Sequence, residues 1–529
     1  MTYKVLVSDK LSDEGLAPFH AAGFEVHHYH EITQEQIKAT IHEYDAWVVR
    51  SRSRATADII ERATKLRVIG RAGVGIDNVD VAAASKRGIV VMNTPGGNTI
   101  STAEHSIAML MSAARKIPAA DASMRQGKWD KKSFMGVELR GKTLGILGFG
   151  RIGQEVAARM KGFQMTILAY DPFVTPDSMN HAGVSPATVD EICRNSDFIT
   201  IHTPLSAETK GLINAERLKT MKKTAILVNC ARGGIIDEQA LAEALKAKTI
   251  AGAALDVFES EPIPENHILR STDNIVITPH IAASTVEAQE NVAIQVAEQI
   301  VDVLKNNKIT NALNAPSIEP RILETLKPYL LLCEKLGSFI SQFSDKRAVK
   351  ITTSFSGSVR DYPLSALTTA ICKGFVEVST DNPVNYVNAQ HILQERGIDI
   401  VETSHSSQFR FSNLMSIAVR YEDGTENSVA GTVFDPDHGR IVMVNGKTFV
   451  ALPEGNLVVL ENNDVPGIIG SVGTFMGQRG INISEMTWGR HKDDHKAMTV
   501  INVEGALKEE DVAGIKALPN IVEARLIRL

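Results

Sequence analysis

The stretch "LGILGFGRIGQEV" places Gly148, Gly150 and Gly153 directly after an apolar strand and directly before an amphipathic helix. The chain then enters a second apolar strand, "MTILAYD", that ends on Asp171. Glycines in this order permit a tight turn and let the backbone approach a pyrophosphate at the helix N-terminus. An acid at the end of the next strand suits a ribose 2′-hydroxyl and repels a 2′-phosphate. The sequence therefore predicts a Rossmann βαβ unit that binds NAD in preference to NADP.

Short apolar runs alternate with amphipathic helical stretches up to about residue 300, which is typical of doubly wound α/β domains with parallel sheets. These strands are too many for one sheet of ordinary size. A helical stretch, "STAEHSIAMLMSAARKIPAADASMRQGKW", is predicted to bridge two such sheets, opening on a capping box formed by Ser101 and Glu104. After residue 316 the pattern becomes mixed α/β, with Asn445-Gly446 predicting a hairpin turn. From residue 455 the order strand, helix, strand, strand, helix, strand predicts a ferredoxin-like module.

Length and composition exclude several classes of protein. A chain of 529 residues is too long for one hydrophobic core, so we expect three or four domains. A net charge of -6 and a pI near 6.2 carry no electrostatic signature of nucleic-acid or membrane binding. No apolar run reaches transmembrane length, and we expect no signal peptide, because "MTYKVLVSDK" is predicted to enter a strand directly. Four widely spaced cysteines without a C-x-x-C pair favour a reduced, cytoplasmic protein.

Three ionisable residues follow strands in the half of the chain after the glycine-rich turn: Arg232 after "AILVNCA", Glu261 after "GAALDVFES" and His280 after "NIVITP". Residues 275–278 are predicted to form a buried strand that delivers His280 to the carboxyl edge of the sheet, where ligands bind in such folds. Arginine can hold a carboxylate and polarise a carbonyl, and histidine can take a hydroxyl proton. Glu261 would orient the imidazole. This chemistry describes a 2-hydroxy acid dehydrogenase.

The motifs "LGILGFGRIG", "HTPL", "NCARGGIIDE", "ALDVFESEP" and "TPHIAAST" resemble the D-isomer-specific 2-hydroxyacid dehydrogenases over about residues 1–316. The resemblance implies Arg232, Glu261 and His280 as the catalytic residues. It implies cofactor contacts from the fingerprint, from the ends of later strands and from Asp171: Gly148, Gly150, Arg151, Ile152, Gly153, Asp171, Thr203, Cys230, Ala231 and Asp256.

With "RAGVGIDNVD", "NTPGGNTISTAEH" and two further domains, the chain is most similar to the long-form D-3-phosphoglycerate dehydrogenases. Such enzymes oxidise 3-phosphoglycerate with NAD in serine synthesis. The resemblance implies substrate contacts from Arg50, Arg52, Arg71, Val74 and Asn98. It also implies a discontinuous substrate domain of residues 1–98 and 287–316, an NAD domain of residues 99–286, an intervening domain of residues 317–453 and an ACT domain of residues 454–529. A homo-oligomer, with a tetramer favoured, is expected.

The last module resembles an ACT domain, a small-ligand sensor. Asp464 lies in the loop before Pro466-Gly467, and Asn482 begins the second strand of the module. A carboxylate and an amide suit a zwitterion such as L-serine. The resemblance implies Asn462, Asp464 and Asn482 as effector contacts, and the alternative is a module that only holds subunits together.

Two alternative functions remain open. Transcriptional corepressors similar to this family sense NADH without catalysis, but they usually lack modules like those after residue 316. A dehydrogenase of an unphosphorylated acid is the other alternative, and the arginines of "VVRSRSRAT" argue against it. We expect no metal site, since the clusters "HHYH" and "RHKDDHKAM" are interpreted as a loop and a hairpin tip.

Overall fold

The structure is a computed structural model, which describes residues 2–316, 318, 320–380, 383–406, 411–435, 438–491, 494–505 and 507–529. The predicted domain boundary at residue 317 and the predicted hairpin tip at residues 492–493 lie outside the described residues. The described part of the chain forms four β-sheets that follow one another along the sequence.

The first sheet has five parallel strands in the order β2-β1-β3-β4-β5. Its strands are β1 Lys4–Val7, β2 Glu25–His28, β3 Ala46–Val49, β4 Val68–Arg71 and β5 Val90–Met92. Its helices are α1 Asp13–Ala21, α2 Gln34–Thr40, α3 Ala57–Arg62 and α4 Val81–Lys86, with a 3-10 helix at Ile41–Glu43. This strand order is the flavodoxin-like form of the doubly wound parallel sheet that the sequence predicts.

The second sheet has seven parallel strands in the order β12-β11-β10-β9-β6-β7-β8. Its strands are β6 Thr143–Leu147, β7 Thr166–Tyr170, β8 Ser185–Pro186, β9 Phe198–Ile201, β10 Ile226–Asn229, β11 Gly252–Leu255 and β12 Ile275–Ile277. The helices are α5 Thr99–Arg115, α6 Ile117–Arg125, α7 Arg151–Lys161, α8 Pro176–His181, α9 Val189–Asn195, α10 Ala215–Thr220 and α11 Glu238–Lys246, with a 3-10 helix at Ile268–Ser271. The strand order reverses between β6 and β9. In such sheets ligands bind at the carboxyl ends beside this reversal, so the topology confirms the predicted Rossmann class.

The chain crosses twice between these two sheets. Helix α5 packs against the second sheet, next to α7 and β10. Helix α12, Val286–Asn306, returns to the first sheet, where Val296 and Ile300 lie directly over Gly70 of β4. Arg232, after β10, lies against Gly75 and Asp77, after β4, so the carboxyl edges of the two sheets face one cleft. The two crossovers are called its hinges below, and the exact domain boundaries stay a prediction.

The third sheet is mixed, with the order β14-β13-β15-β16-β17-β18, in which β13 and β14 run parallel and the other pairs antiparallel. Its strands are β13 Ala348–Gly357, β14 Asp399–His405, β15 Asn413–Tyr421, β16 Glu426–Val433, β17 Gly439–Val444 and β18 Lys447–Ala451. Helices α13 Pro320–Gln342, α14 Leu364–Glu377 and α15 Ala389–Glu395 accompany it, with a 3-10 helix at Ser358–Asp361. Asn445 and Gly446 have φ values of 47° and 76°, as the predicted hairpin turn requires.

The fourth sheet is antiparallel, with the ferredoxin-like order β20-β21-β19-β22. Its elements are β19 Asn456–Asn463, α16 Ile468–Gln478, β20 Asn482–His491, β21 Asp494–Glu504, α17 Glu509–Lys516 and β22 Ile521–Arg528. One face shares a hydrophobic core with the third sheet, because Phe449 and Ala451 belong to the same buried cluster as Val459, Met498 and Ile527. The last two sheets therefore pack together through apolar side chains.

Three sequence predictions about local structure were wrong. Strand β12 is not buried: it ends at Ile277, lies at the edge of its sheet, and leaves Ile277 37% exposed. The predicted capping box is absent, because α5 begins at Thr99 after Asn98, and the Ser101 hydroxyl donates to the Asn98 carbonyl. The predicted bridging helix also breaks at Lys116, whose backbone is left-handed. The ends of these helices and strands depend on packing against neighbouring elements, which a local sequence pattern does not show.

Among the described residues, no helix combines the length and apolar character that crossing a membrane requires.

Candidate active site

The three glycines of the fingerprint turn have different environments. A Cβ atom at Gly148 would lie 2.6 Å from the His202 carbonyl group, and one at Gly153 would lie 2.2 Å from the Gly148 carbonyl oxygen. Gly150, the N-cap of α7, has no heavy atom within 4 Å of the same position among the described residues. The first and third glycines therefore allow close packing, whereas the second leaves open backbone at a helix N-terminus. This arrangement fits a pyrophosphate.

Asp171 lies immediately after β7, beside the same turn. Its carboxylate accepts hydrogen bonds from the backbone N–H groups of Phe149, at 2.8 Å, and Phe173, at 2.9 Å. Two buried polar atoms lie in the segment after β9, His202 Nδ1 and Thr203 Oγ1, and neither has a partner among the described residues. Burial lowers the pKa of His202 to about 4, so its imidazole is neutral. An oriented carboxylate and unused polar atoms next to the fingerprint fit the predicted dinucleotide.

The remaining predicted cofactor contacts lie around this turn and at neighbouring strand ends. The Arg151 guanidinium donates to the Pro95 carbonyl at 2.8 Å and so links α7 to the hinge before α5, while Ile152 is half-buried in the first turn of α7. Cys230 follows β10, and burial raises the pKa of its thiol to about 12, so the thiol is neutral. The Ala231 N–H donates to the Asn229 side chain, and the Ala231 carbonyl accepts from the Arg232 guanidinium.

His280 and Glu261 form a pair at the carboxyl edge of the second sheet. His280 Nδ1 lies 2.6 Å from Glu261 Oε2, and the other carboxylate oxygen of Glu261 accepts from the Phe258 N–H at 3.0 Å. Burial alone would raise the pKa of Glu261. The hydrogen bonds from His280 and Phe258 have the larger combined effect, so the pKa of this carboxyl lies below its usual value. The ionised carboxylate directs the Nδ1 proton toward itself, which leaves Nε2 free to accept a proton.

Arg232 lies three residues after β10 and reaches across the cleft. An ideal Cβ atom at Gly75 would lie 2.2 Å from the Arg232 guanidinium, so the glycine allows the two sheets to approach. Arg232 Nε lies 3.6 Å from the carboxylate of Asp77, which is 82% exposed. Gly75 and Asp77 both follow β4 of the first sheet. The glycines of the motif "RAGVGIDNVD" thus lie at the arginine site and not at the cofactor turn.

Three arginines gather on this side of the cleft. Burial, together with the positive charges of Arg232 and Arg50, lowers the pKa of Arg71 to about 10. The three guanidinium groups are therefore near enough to repel one another. Arg71 Nε is buried without a partner among the described residues. The Arg50 side chain donates to the Lys10 carbonyl, and the exposed Arg52 donates to that of His30. This cluster suits a ligand with more than one negative charge.

Two residues that the sequence analysis missed hold the arginine turn. The buried Asp9 carboxylate accepts from the backbone N–H groups of Arg50, Arg52 and Ser53. The Asn78 side chain donates to the carbonyls of Arg50 and Ser53. Asp9 closes the run "YKVLVSD" two residues after β1 ends, so its place just past a strand end was a signal that could have identified it.

Two predicted substrate contacts lie in the loops that follow β4 and β5. The Val74 carbonyl accepts from the Asn93 side chain at 2.7 Å, which shapes the loop after β4. Asn98 is the N-cap of α5, and its Oδ1 atom is buried without a partner among the described residues, as is Thr94 Oγ1 nearby in the sequence. The hinge between the sheets therefore offers unused hydrogen-bonding atoms next to the cleft.

The predicted effector residues occupy three different environments in the last sheet. Asp464 lines a pocket of about 420 Å³ together with Trp488 and Arg490, and Arg490 lies 3.2 Å from its carboxylate. The fully buried Asn462 side chain accepts from Thr499 at 3.2 Å. Asn482 donates to Glu504 at 2.8 Å. Within the chain, then, only the first of these three described residues faces the pocket.

Comparison with known proteins agrees with this geometry. The model of the D-isomer specific 2-hydroxyacid dehydrogenase NAD-binding domain matches residues 107–282, and that of the D-3-phosphoglycerate dehydrogenase intervening domain matches residues 325–445. A D-3-phosphoglycerate dehydrogenase of Archaeoglobus fulgidus is 42% identical over 99% of this chain and 100% of its own length. One of Bacillus subtilis is 40% identical over 100% of both chains. The chain belongs to the D-3-phosphoglycerate dehydrogenase family.

Solved structures resemble the part of this chain that carries the cleft. Apo D-lactate dehydrogenase from Escherichia coli is 28% identical and superimposes with a TM-score of 0.52, covering 59% of this chain and 99% of its own. The match to the NAD-binding domain includes the glycine-rich turn and also Arg232, Glu261 and His280. NAD is the cofactor of this chain. The catalytic roles of these residues stay a prediction.

Proposed function

We propose that the chain oxidises D-3-phosphoglycerate to 3-phosphohydroxypyruvate with NAD, the first committed step of L-serine biosynthesis. The observation that carries this proposal is the convergence of Arg50, Arg71 and Arg232 on a cleft that also holds the His280–Glu261 pair. Three guanidinium groups match the phosphate and the carboxylate of this substrate. An unphosphorylated hydroxy acid would leave several of these positive charges unpaired.

In the proposed reaction, Arg232 binds the substrate carboxylate and polarises the C2 oxygen, while Arg50, Arg52 and Arg71 bind the phosphate. His280 Nε2 accepts the proton of the C2 hydroxyl, and the Glu261 carboxylate stabilises the resulting imidazolium. Bound NAD supplies the acceptor for the hydride that leaves C2. Closure of the two sheets about the hinges would exclude water from the cleft.

A steady-state assay tests the proposal against its alternatives. With NAD, kcat/KM for D-3-phosphoglycerate should exceed that for D-glycerate and D-lactate. Preference for an unphosphorylated acid would make the chain a different dehydrogenase. NADH binding without turnover of any of these acids would favour the corepressor alternative. That alternative does not explain why the chain carries the third and fourth sheets.

Replacing Asp171 by Ser should weaken NAD binding and narrow the preference for NAD over NADP. The carboxylate would no longer meet the ribose 2′-hydroxyl or repel a 2′-phosphate, and a lost hydrogen bond to a charged group is worth about 1.5–3 kcal/mol. Dissociation constants for NADH and NADPH from fluorescence titration measure the effect. Asp177→Ser, an acid in the first turn of α8, is the control. An unchanged ratio of the two constants would contradict the assignment of Asp171.

We also propose that the chain forms a cytoplasmic homo-oligomer, with a tetramer favoured. The segment from α6 to residue 137 supports an interface with a second copy, because α6 has no buried residue and Trp129 and Met135 are 77% and 78% exposed. Large apolar side chains exposed in one segment are typical of interaction surfaces. The free cysteines all lie buried, which agrees with a reducing compartment.

L-serine is the proposed effector of the last sheet. Asp464 can accept from an amino group, while Arg490 and the backbone N–H groups at the start of α16 can bind a carboxylate. The buried Nε1 atom of Trp488, unpartnered among the described residues, is a further donor beside the pocket. Asn462 and Asn482 would contribute through the local structure or across an interface between copies.

Millimolar L-serine should inhibit the wild-type enzyme, and Asp464→Ala should abolish that inhibition while leaving turnover without serine unchanged. The substitution removes the acceptor for the amino group and frees Arg490. Inhibition curves and calorimetric titration with L-serine measure both effects, and Asn482→Ala provides a weaker second test. Wild-type enzyme that neither binds L-serine nor is inhibited by it would leave this module with a structural role.

A further inference from the structure

We infer that Asp256 is a positioning residue, whose buried carboxylate holds the loop of residues 278–282 in the conformation that presents His280 to Glu261. This inference rests on the proposed dehydrogenase function. It assigns Asp256 a role different from the cofactor contact that the family resemblance implies.

The contacts of Asp256 are directed at one loop. Its side chain is fully buried just after β11. Oδ1 accepts from the Thr278 hydroxyl at 2.6 Å and from the Ile281 N–H at 2.9 Å, and Oδ2 accepts from the Ala282 N–H at 2.9 Å. The Asp256 carbonyl accepts from the His280 N–H at 2.8 Å. Asp256 thus accepts four hydrogen bonds, one from His280 itself and three from residues on both sides of it.

The backbone conformation of His280 requires stabilisation by its surroundings. Its φ is 52°, in the left-handed region that residues with a Cβ atom rarely adopt. A residue persists there when the surrounding structure holds it, and such positions are common at active sites. Because Asp256 binds residues before and after His280, loss of its carboxylate would release the loop to a relaxed conformation. The imidazole would then turn away from Glu261.

A second histidine, His105, contacts both Asp256 and Thr278. His105, on α5, places Nε2 3.4 Å from Asp256 Oδ1 and 3.4 Å from the Thr278 hydroxyl. Burial raises the pKa of Asp256, but the hydrogen bonds from His105, Thr278 and the loop backbone lower it below its usual value. The carboxylate is therefore ionised, and hydrogen bonds to an ionised acceptor are stronger than neutral ones.

Three substitutions test the inference in the full-length protein. Asp256→Asn keeps the shape of the side chain but replaces one of its two acceptor oxygens with an NH₂ group, which cannot accept from the donors of the loop. Thr278→Val removes the hydroxyl that donates to Asp256 and also contacts His105 and Met109, and leaves the Asp256 carboxylate in place. Thr278→Ser retains a hydroxyl that can make the bond to Asp256. Asp197→Asn is the matched control, because Asp197 is also shielded and accepts from the Thr143 N–H and from Lys222, but lies at the amino edge of the sheet.

Asp256→Asn should lower kcat by roughly ten- to a hundredfold, the effect of misplacing a reacting group, with the NADH dissociation constant within about twofold of wild type. The acidic limb of its pH–kcat profile should shift. Thr278→Val should show a smaller loss that Thr278→Ser reverses, and this pair carries the test if Asp256→Asn does not fold. Asp197→Asn should change thermal stability without changing the pH profile.

Wild-type kcat and pH profile in Asp256→Asn would overturn the inference, as would a loss explained entirely by weaker NADH binding. A readout that needs no turnover separates this inference from the proposed function. The NMR titration of the His280 ring in ¹³C-histidine protein, assigned with His280→Asn, should change in Asp256→Asn and not in Asp197→Asn. If the wild-type protein turns over no hydroxy acid, that titration still decides the inference.

Discussion

Replacing His280 by Asn should reduce kcat for D-3-phosphoglycerate by roughly a hundredfold or more, the usual size of a general acid–base contribution. The amide has nearly the reach of the imidazole but accepts no proton at neutral pH. NADH binding should be largely retained, because the fingerprint turn and Asp171 lie at other strand ends. Steady-state kinetics and fluorescence titration measure the two effects.

Glu261→Gln is the companion of this substitution. Oxidation of the hydroxyl needs an unprotonated His280, so activity falls as the pH falls. The ionised Glu261, 2.6 Å from the ring, stabilises the protonated form. Without that charge the acidic limb of the pH–rate profile should move to lower pH, together with a lower maximal rate. Near-normal turnover in His280→Asn would contradict the proposed mechanism.

Replacing Arg50 by Ala should raise KM for D-3-phosphoglycerate by about 10- to 100-fold, since a hydrogen bond to a charged group is worth about 1.5–3 kcal/mol. KM for D-glycerate should change much less, because that acid carries no phosphate. Arg52→Ala should act in the same direction with a smaller effect, since this side chain is exposed.

Arg54→Ala is the matched control, because Arg54 is an exposed arginine of the same stretch. It should leave both constants near their wild-type values. Equal effects of Arg50→Ala on the two substrates would instead indicate that Arg50 supports the fold of the turn. Asp9→Asn should resemble Arg50→Ala in its selectivity, since Asp9 holds the backbone of the arginine turn.

The sequence by itself determined the class of each sheet and the strand ends that carry chemistry. The glycine-rich turn, the second strand and Asp171 are contiguous, and their geometry follows from backbone sterics and hydrophobic periodicity between near neighbours. The same is true of the Asn445-Gly446 turn and of the strand and helix order in the last module. Arg232, Glu261 and His280 could be predicted as one group because the parallel strands before them end at one edge.

Only the tertiary structure decided which distant groups support that site. Asp9 meets Arg50 across 41 residues, Asp256 meets Ala282 across 26, and Arg232 reaches Asp77 of the other sheet. Tertiary packing likewise decided that β12 lies at an edge and that α5 begins at Thr99. Such contacts depend on how separate elements pack, and a local pattern of residue types carries no information about that packing.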